Sequence, residues 1–159
     1  MFPELRMRPA LDRVFRKRRT WRLLSCIGTA LGILWALPLT VFGMLFALPV
    51  FLWHGHLQFL RGHTVALLVS GPFANAVLSR HPFGAMTAMA LGHVIIADPQ
   101  GLTSRVLAHE LAHVRQAMRW GCVFPFVYLA CSAWAVIRGR DAYWHNHFEI
   151  AARKAEKHF

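Results

Sequence analysis

Acidic residues are scarce in this chain. Seven Asp and Glu stand against 18 Lys and Arg, for a formal net charge of +11. Cysteine is scarcer still, with only Cys26, Cys122 and Cys131. No C-x-x-C pair occurs, so a cysteine zinc site is excluded, and the odd count argues against a disulfide framework. The thiols read as buried and inert. Internal repeats and low-complexity segments are absent, which removes solenoids and polar tracts from consideration. Charge itself is missing over one long interval. From Leu23 to Trp53 there is no Asp, Glu, Lys, Arg or His. An uncharged apolar run of about 18 or more residues reads as a transmembrane candidate.

What precedes this run is the opposite. Arg6, Arg8, Arg13, Arg16, Lys17, Arg18, Arg19 and Arg22 face only Glu4 and Asp12. Basic residues beside a span favour the cytoplasmic side and can bind anionic head groups. No aromatic interleaving or recognition motif accompanies them, so nucleic acid is not an expected partner. The basic region is long and the apolar run is about twice a signal-peptide core, so an uncleaved anchor is expected. The chain reads as an integral membrane protein with a cytoplasmic basic N-terminus and the lipid bilayer as its first partner.

Three parts follow: a basic leader over 1–22, a membrane segment over 23–53, and a mixed α and β region over 54–159. As a single helix the membrane segment would extend about 46 Å, beyond the roughly 30 Å hydrocarbon core. Pro38 can kink it, or break it into a re-entrant hairpin. Further on, Leu57–Leu60 and Thr64–Val69 flank Arg61-Gly62-His63 as a hairpin. Pro72 to Arg80 reads as a short helix, and His93 to Ala97 as a strand before the turn at Asp98-Pro99-Gln100-Gly101. Thr103 or Ser104 is an N-cap for a helix that runs to about Trp120 and stops at Gly121. Phe124 to Ile137 is too short to span by itself and reads as a core or interfacial helix. A last helix begins near Asn146 and runs through Lys157.

The chemistry lies in His109-Glu110-Leu111-Ala112-His113, an H-E-x-x-H pattern inside a predicted helix. Residues i and i+4 share a helical face, so both imidazoles can reach one metal ion. Glu110 can reach a water held by that metal and act as general base. The trio is embedded in Leu107, Ala108, Leu111, Ala112 and Val114, and polar groups in apolar surroundings need partners or a metal. The alternative is a helix that merely carries two surface histidines and a glutamate.

A catalytic zinc site takes three protein ligands and keeps one position open. Gln116 and Arg119 stand where a metzincin would carry its glycine and third histidine, so that subclass is excluded. Asp141, His145, His147 and Glu149 are the downstream candidates. Glu149 is favoured and His145 is next. Asn146-x-x-Glu149 is also a capping-box pattern, which offers Glu149 a purely structural role. Tyr143, His145, His147 and Gln116 are candidates to stabilise an oxyanion or to support the ligands.

The run HELAHVRQ at 109–116, with Asn146-x-x-Glu149 and the following alanines, resembles the gluzincin-type zinc metallopeptidases. It looks closest to small bacterial membrane proteins with a strand, an HExxHxxQ helix and a terminal FExxA helix, over about residues 86–156. The resemblance implies His109, His113 and Glu149 as zinc ligands and Glu110 as the catalytic carboxylate. It also implies a small α+β zincin-like domain, built of a metal helix, a small sheet and a C-terminal helix. That domain is attached to an N-terminal membrane helix or helical hairpin. One departure stands out: Arg153 occupies the position, four after Glu149, where many gluzincins carry an acidic residue. The expected function is a membrane-anchored zinc metalloendopeptidase acting on proteins or peptides. The alternative is a catalytically idle zinc-binding membrane scaffold. By analogy with zincins, the strand before the metal helix is expected to be an edge that pairs with extended substrate.

Overall fold

The computed structural model describes residues 27–62, 64–80, 84 and 86–157. The basic leader, Cys26 and the turn residue His63 lie outside the described residues. Helix α1 (Ile27–Trp35) meets helix α2 (Leu37–Leu52) at a 56° bend. The break falls at Ala36, and Pro38 sits in the first turn of α2, where its missing N–H costs no helical bond. The bend is neither a straight span nor a full reversal of the chain.

A four-stranded sheet follows, in the order β1-β2-β4-β3. Strands β1 (His56–Leu60) and β2 (Ala66–Ser70) form the expected hairpin, with Leu57 opposite Val69. The short helix α3 (Pro72–Leu78) lies on the connection that leads on to β3 (Ala88–Leu91) and β4 (Val94–Ala97). β4 pairs parallel with β2 and antiparallel with β3. The strand expected at the edge is therefore interior. All four residues of β4 are buried, which follows from helices covering both faces of the sheet. The edge beside the metal helix is β3, which sequence reading left unassigned.

Alternate residues of β4 serve the two faces. Val94 and Ile96 join Ala47 and Val50 of α2 and Leu78 of α3. Ile95 and Ala97 join Ala66, Leu68 and Val114 of helix α4 (Ser104–Trp120). Complete burial of a side chain the size of Ile95 stabilises by roughly 1.5–3 kcal/mol. The uncharged N-terminal run is thus part of the core on one side: Leu39, Thr40, Gly43, Ala47 and Val50 are buried. Close approach at the β3–β4 turn depends on Gly92, whose φ is +61° and whose added Cβ would lie 2.5 Å from the Thr40 nitrogen. The Thr40 hydroxyl there meets His93 Nδ1 at 2.9 Å.

Thr103 caps α4 by accepting from the Val106 N–H, and Gly121 with φ +60° closes it. A single 3₁₀ turn (Gly121–Val123) then leads into α5 (Phe124–Ile137). Together they make a 34-residue rod, Ser104–Ile137, long and apolar enough by composition to cross a membrane. The sequence treats α5 as an isolated short segment; its continuity with α4 is what lengthens it. The charged residues of the rod end at Arg119, and none follows until Arg138. Helix α6 (His147–Glu156) packs back on α4. A third apolar cluster of Ala36, Leu39, Ala117, Phe124 and Phe148 binds α2, α4, α5 and α6. Outward faces of α1, α2 and α5 remain apolar and exposed, including Leu31, Phe42, Leu45, Phe126 and Ile137. This supports membrane association. Cys122 and Cys131 are free thiols, Cys122 exposed and Cys131 half-buried.

Candidate metal centre

His109, Glu110 and His113 lie on the buried face of α4, and Glu149 lies in the first turn of α6. The packing of α6 on α4 brings the carboxylate to both imidazoles. His109 Nε2 is 3.1 Å from Glu149 Oε2, and His113 Nε2 is 3.2 Å from Glu149 Oε1. The two Nε2 atoms are 3.0 Å apart. One ligand atom from each residue lies within 4.8 Å of the others. At zinc–ligand lengths of about 2.0–2.1 Å, tetrahedral donors stand roughly 3.3 Å apart. The two imidazole nitrogens stand near that spacing from each other and each from one oxygen of the same carboxylate, and this chemistry, two imidazoles and one carboxylate, is that of a His2Glu zinc centre. Glu149 Oε2 is buried and faces only the His109 ring nitrogen, as expected of a ligand atom. The donors fit zinc.

Each ligand is held from behind. His109 Nδ1 is 2.6 Å from Glu156 Oε1, which orients the ring and leaves Nε2 for the metal. His113 Nδ1 donates to Gln116 Oε1 at 2.8 Å, and the Gln116 amide donates to the Phe148 carbonyl at 3.0 Å. The Tyr128 hydroxyl donates to Glu149 Oε1 at 2.8 Å. The capping-box alternative for Glu149 does not form. Asn146 caps α6 by accepting from the Phe148 N–H, while its own N–H bonds the Tyr143 carbonyl. Asn146 is fully buried and also donates to the Tyr128 carbonyl and the Ser132 hydroxyl, which ties α6 to α5.

The other candidates separate. Gln116 and Tyr143 are at the site, Gln116 bonded to His113 and Tyr143 lining the cleft beside Glu149. His145 and His147 are exposed and do not line the cleft. The Asp141 carboxylate accepts from the Tyr143 and Trp144 N–H groups at 2.8 and 2.7 Å, so it serves a turn. Sequence reading missed Glu156 and Tyr128. Glu156 is seven residues after Glu149, two helical turns along the same face, and that spacing was available as a signal. Glu156, rather than a residue at the position of Arg153, supports His109. Glu156→Gln is expected to weaken zinc affinity about 10–100-fold, measured by competition with a chelating dye.

The site opens into a cleft of about 720 Å³. Strand β3 forms one wall, Phe124 and Leu129 of α5 another, and Tyr143 and Trp144 a third. Glu110 is buried beside the triad and lines the cleft with Ala90 of β3, its Oε2 unpartnered. Burial pushes its carboxyl upward, partly offset by His113 and His109.

Burial also opposes the charge of Glu149, but its bonds to His109 and His113 outweigh this and hold it well below the usual carboxylate range. For His109, burial is outweighed by Glu149, Glu110 and Glu156, and its pKa is raised. These shifts give a signed expectation for the metal-free chain. The Glu149 contribution is present above the ordinary 4.5 and is lost as pH falls through the lower folded value. The His109 contribution is full below the ordinary 6.5 and is lost as pH rises through the higher folded value. Glu110 acts in the same sense as His109, because burial disfavours its charged form. Chelated protein should therefore melt highest in a narrow window around 4.5, losing stability below it as Glu149 protonates and above it as first Glu110 and then His109 lose their protons. A melting temperature that climbs steadily above that window would contradict the charge assignment.

No protein-family model matches this chain, and no curated protein or solved structure is detectably similar to it. The likeness to an HExxH-plus-glutamate zinc centre is carried by the cluster of His109, His113 and Glu149.

Proposed function

We propose that this chain is a membrane-anchored zinc metalloendopeptidase, with His109, His113 and Glu149 as ligands and Glu110 as general base. The observation that carries this reading is Glu110: a buried carboxylate beside the triad, with a free oxygen, in a cleft walled by a strand edge that is unpaired among the described residues.

Bound zinc would polarise a peptide carbonyl and acidify a water molecule. The protein supplies the rest. Glu110, raised by burial, is tuned toward accepting a proton from the attacking water and returning it to the departing amine. The free edge of β3 can take an extended peptide by backbone pairing, which aligns its carbonyls past Glu110. Tyr128 holds the Glu149 carboxylate in place, and Tyr143 lines the cleft beside it. Apolar walls, including Met89, Leu91 and Phe124, exclude water from the cleft. The basic leader assigns the N-terminus to the cytoplasmic side.

The test is hydrolysis of quenched-fluorescence peptides by the full chain in detergent. Activity should vanish with a chelator and return with added zinc. Zinc-loaded protein that cleaves no member of a broad peptide library would overturn the endopeptidase reading. It would favour the idle zinc-binding scaffold.

A further inference from the structure

A second depression lies away from the metal centre, between α1 and α4. It has a volume of about 340 Å³, and its lining includes Gly28, Thr29, Gly32, Thr64, Arg115 and Arg119. Its shape follows from two glycines one turn apart. At Gly32 the helices touch, since an added Cβ would lie 3.2 Å from Met118. At Gly28 an added Cβ would meet nothing within 4 Å, so the helices have parted. The result is a wedge open toward the N-terminal end of α1.

The wedge has the chemistry of an anion site. Arg115 and Arg119 are one turn apart on α4 and both exposed. Among the described residues neither makes an ion pair; the carboxylate pairings there all go to His109 or His113. Thr64 is 7% exposed, and its hydroxyl oxygen is buried with no hydrogen-bond partner. A buried hydroxyl without a partner is uncommon enough to need an explanation. Two guanidiniums without an ion pair among the described residues line the same wedge and can fork onto phosphate oxygens, the geometry that arginine favours.

Position selects the source of the phosphate. Arg22 is the last charged residue before the uncharged run, so α1 begins close to the boundary between polar and apolar sequence. Ile27, Leu31 and Leu34 of α1 are exposed and apolar. In a membrane-associated chain the N-terminal end of α1 lies at head-group level, and the wedge opens there. We propose that the α1–α4 wedge binds the phosphate of an anionic phospholipid head group through Arg115 and Arg119, with acyl chains running along α1. This assignment is independent of peptidase activity.

The experiment uses full-length, delipidated protein in neutral detergent, titrated with phosphatidylglycerol or phosphatidylcholine and read by native mass spectrometry. Inorganic phosphate at millimolar concentration forms a third arm. Wild type should bind phosphatidylglycerol at least tenfold more tightly than phosphatidylcholine. Arg115→Gln and Arg119→Gln should each lower that preference about fivefold, and together abolish it. Thr64→Val should weaken it less. Arg16, Lys17, Arg18 and Arg19 are replaced by Gln in a separate variant, which should keep most of the preference. Zinc content and circular dichroism of each variant establish folding, since none of these residues lines the metal cleft. Loss of preference in the leader variant alone, with the double arginine variant unaffected, would overturn the proposal. Arginine-dependent stabilisation by inorganic phosphate, without lipid preference, would overturn the lipid assignment in favour of a soluble phosphate.

Discussion

Glu110→Gln should retain about one zinc per chain yet hydrolyse peptides about 10²–10⁴-fold more slowly, the usual worth of a positioned general base. The substitution keeps shape and removes only proton affinity. Glu110 does not touch Glu149 or either imidazole by hydrogen bond, so the ligand triangle has no reason to move. It also replaces a carboxyl disfavoured by burial with a neutral amide, so thermal stability should hold or rise slightly. Metal content by elemental analysis and initial rates on one peptide decide the matter. A variant that keeps zinc and full activity would remove Glu110 from the mechanism.

Glu149→Ala and His113→Ala should each reduce bound zinc to background and abolish the rise in melting temperature on adding zinc. Both remove a donor from a three-residue set, and the remaining pair lacks the geometry to hold zinc tightly. At free zinc a thousandfold above the dissociation constant, binding stabilises the native state by about 4 kcal/mol, so the lost shift should be several degrees. His145→Ala is the matched contrast, since His145 is exposed and outside the cleft. It should bind zinc as wild type does. Undiminished zinc in Glu149→Ala would mean that another residue completes the site.

Much of this arrangement was legible from residue types and spacing. The cap at Thr103, the stop at Gly121, the histidines of α4 and the start of α6 at Asn146 are local signals, and each holds in the structure. What escaped depends on tertiary contact or on weak propensity. Strand β3 reads Ala-Met-Ala-Leu, with no β-branched residue, so nothing in it announces a strand. Its place at the edge is decided by β4, whose unbroken burial could equally have belonged to an outer strand. The inward stripe of α2 was hidden because the helix is apolar all round, so periodicity has no polar face against which to register. Tyr128 reaches Glu149 only because the Gly121–Val123 turn carries α5 past α6. Glu156 was within reach of helical geometry, but the family pattern directs attention to the fourth position after Glu149 rather than the seventh.

The exposed edge of β3 carries a further meaning. A strand edge offers hydrogen bonds to main chain and is nearly blind to side chains. A helix or an intact sheet has already spent its main-chain groups internally and has none to give. A chain that docked along β3 as proposed would have to arrive with its backbone unpaired. Under the proposed function, selection at this cleft would turn on the conformational state of the incoming chain, and a protein would become visible to it by losing structure rather than by displaying a sequence.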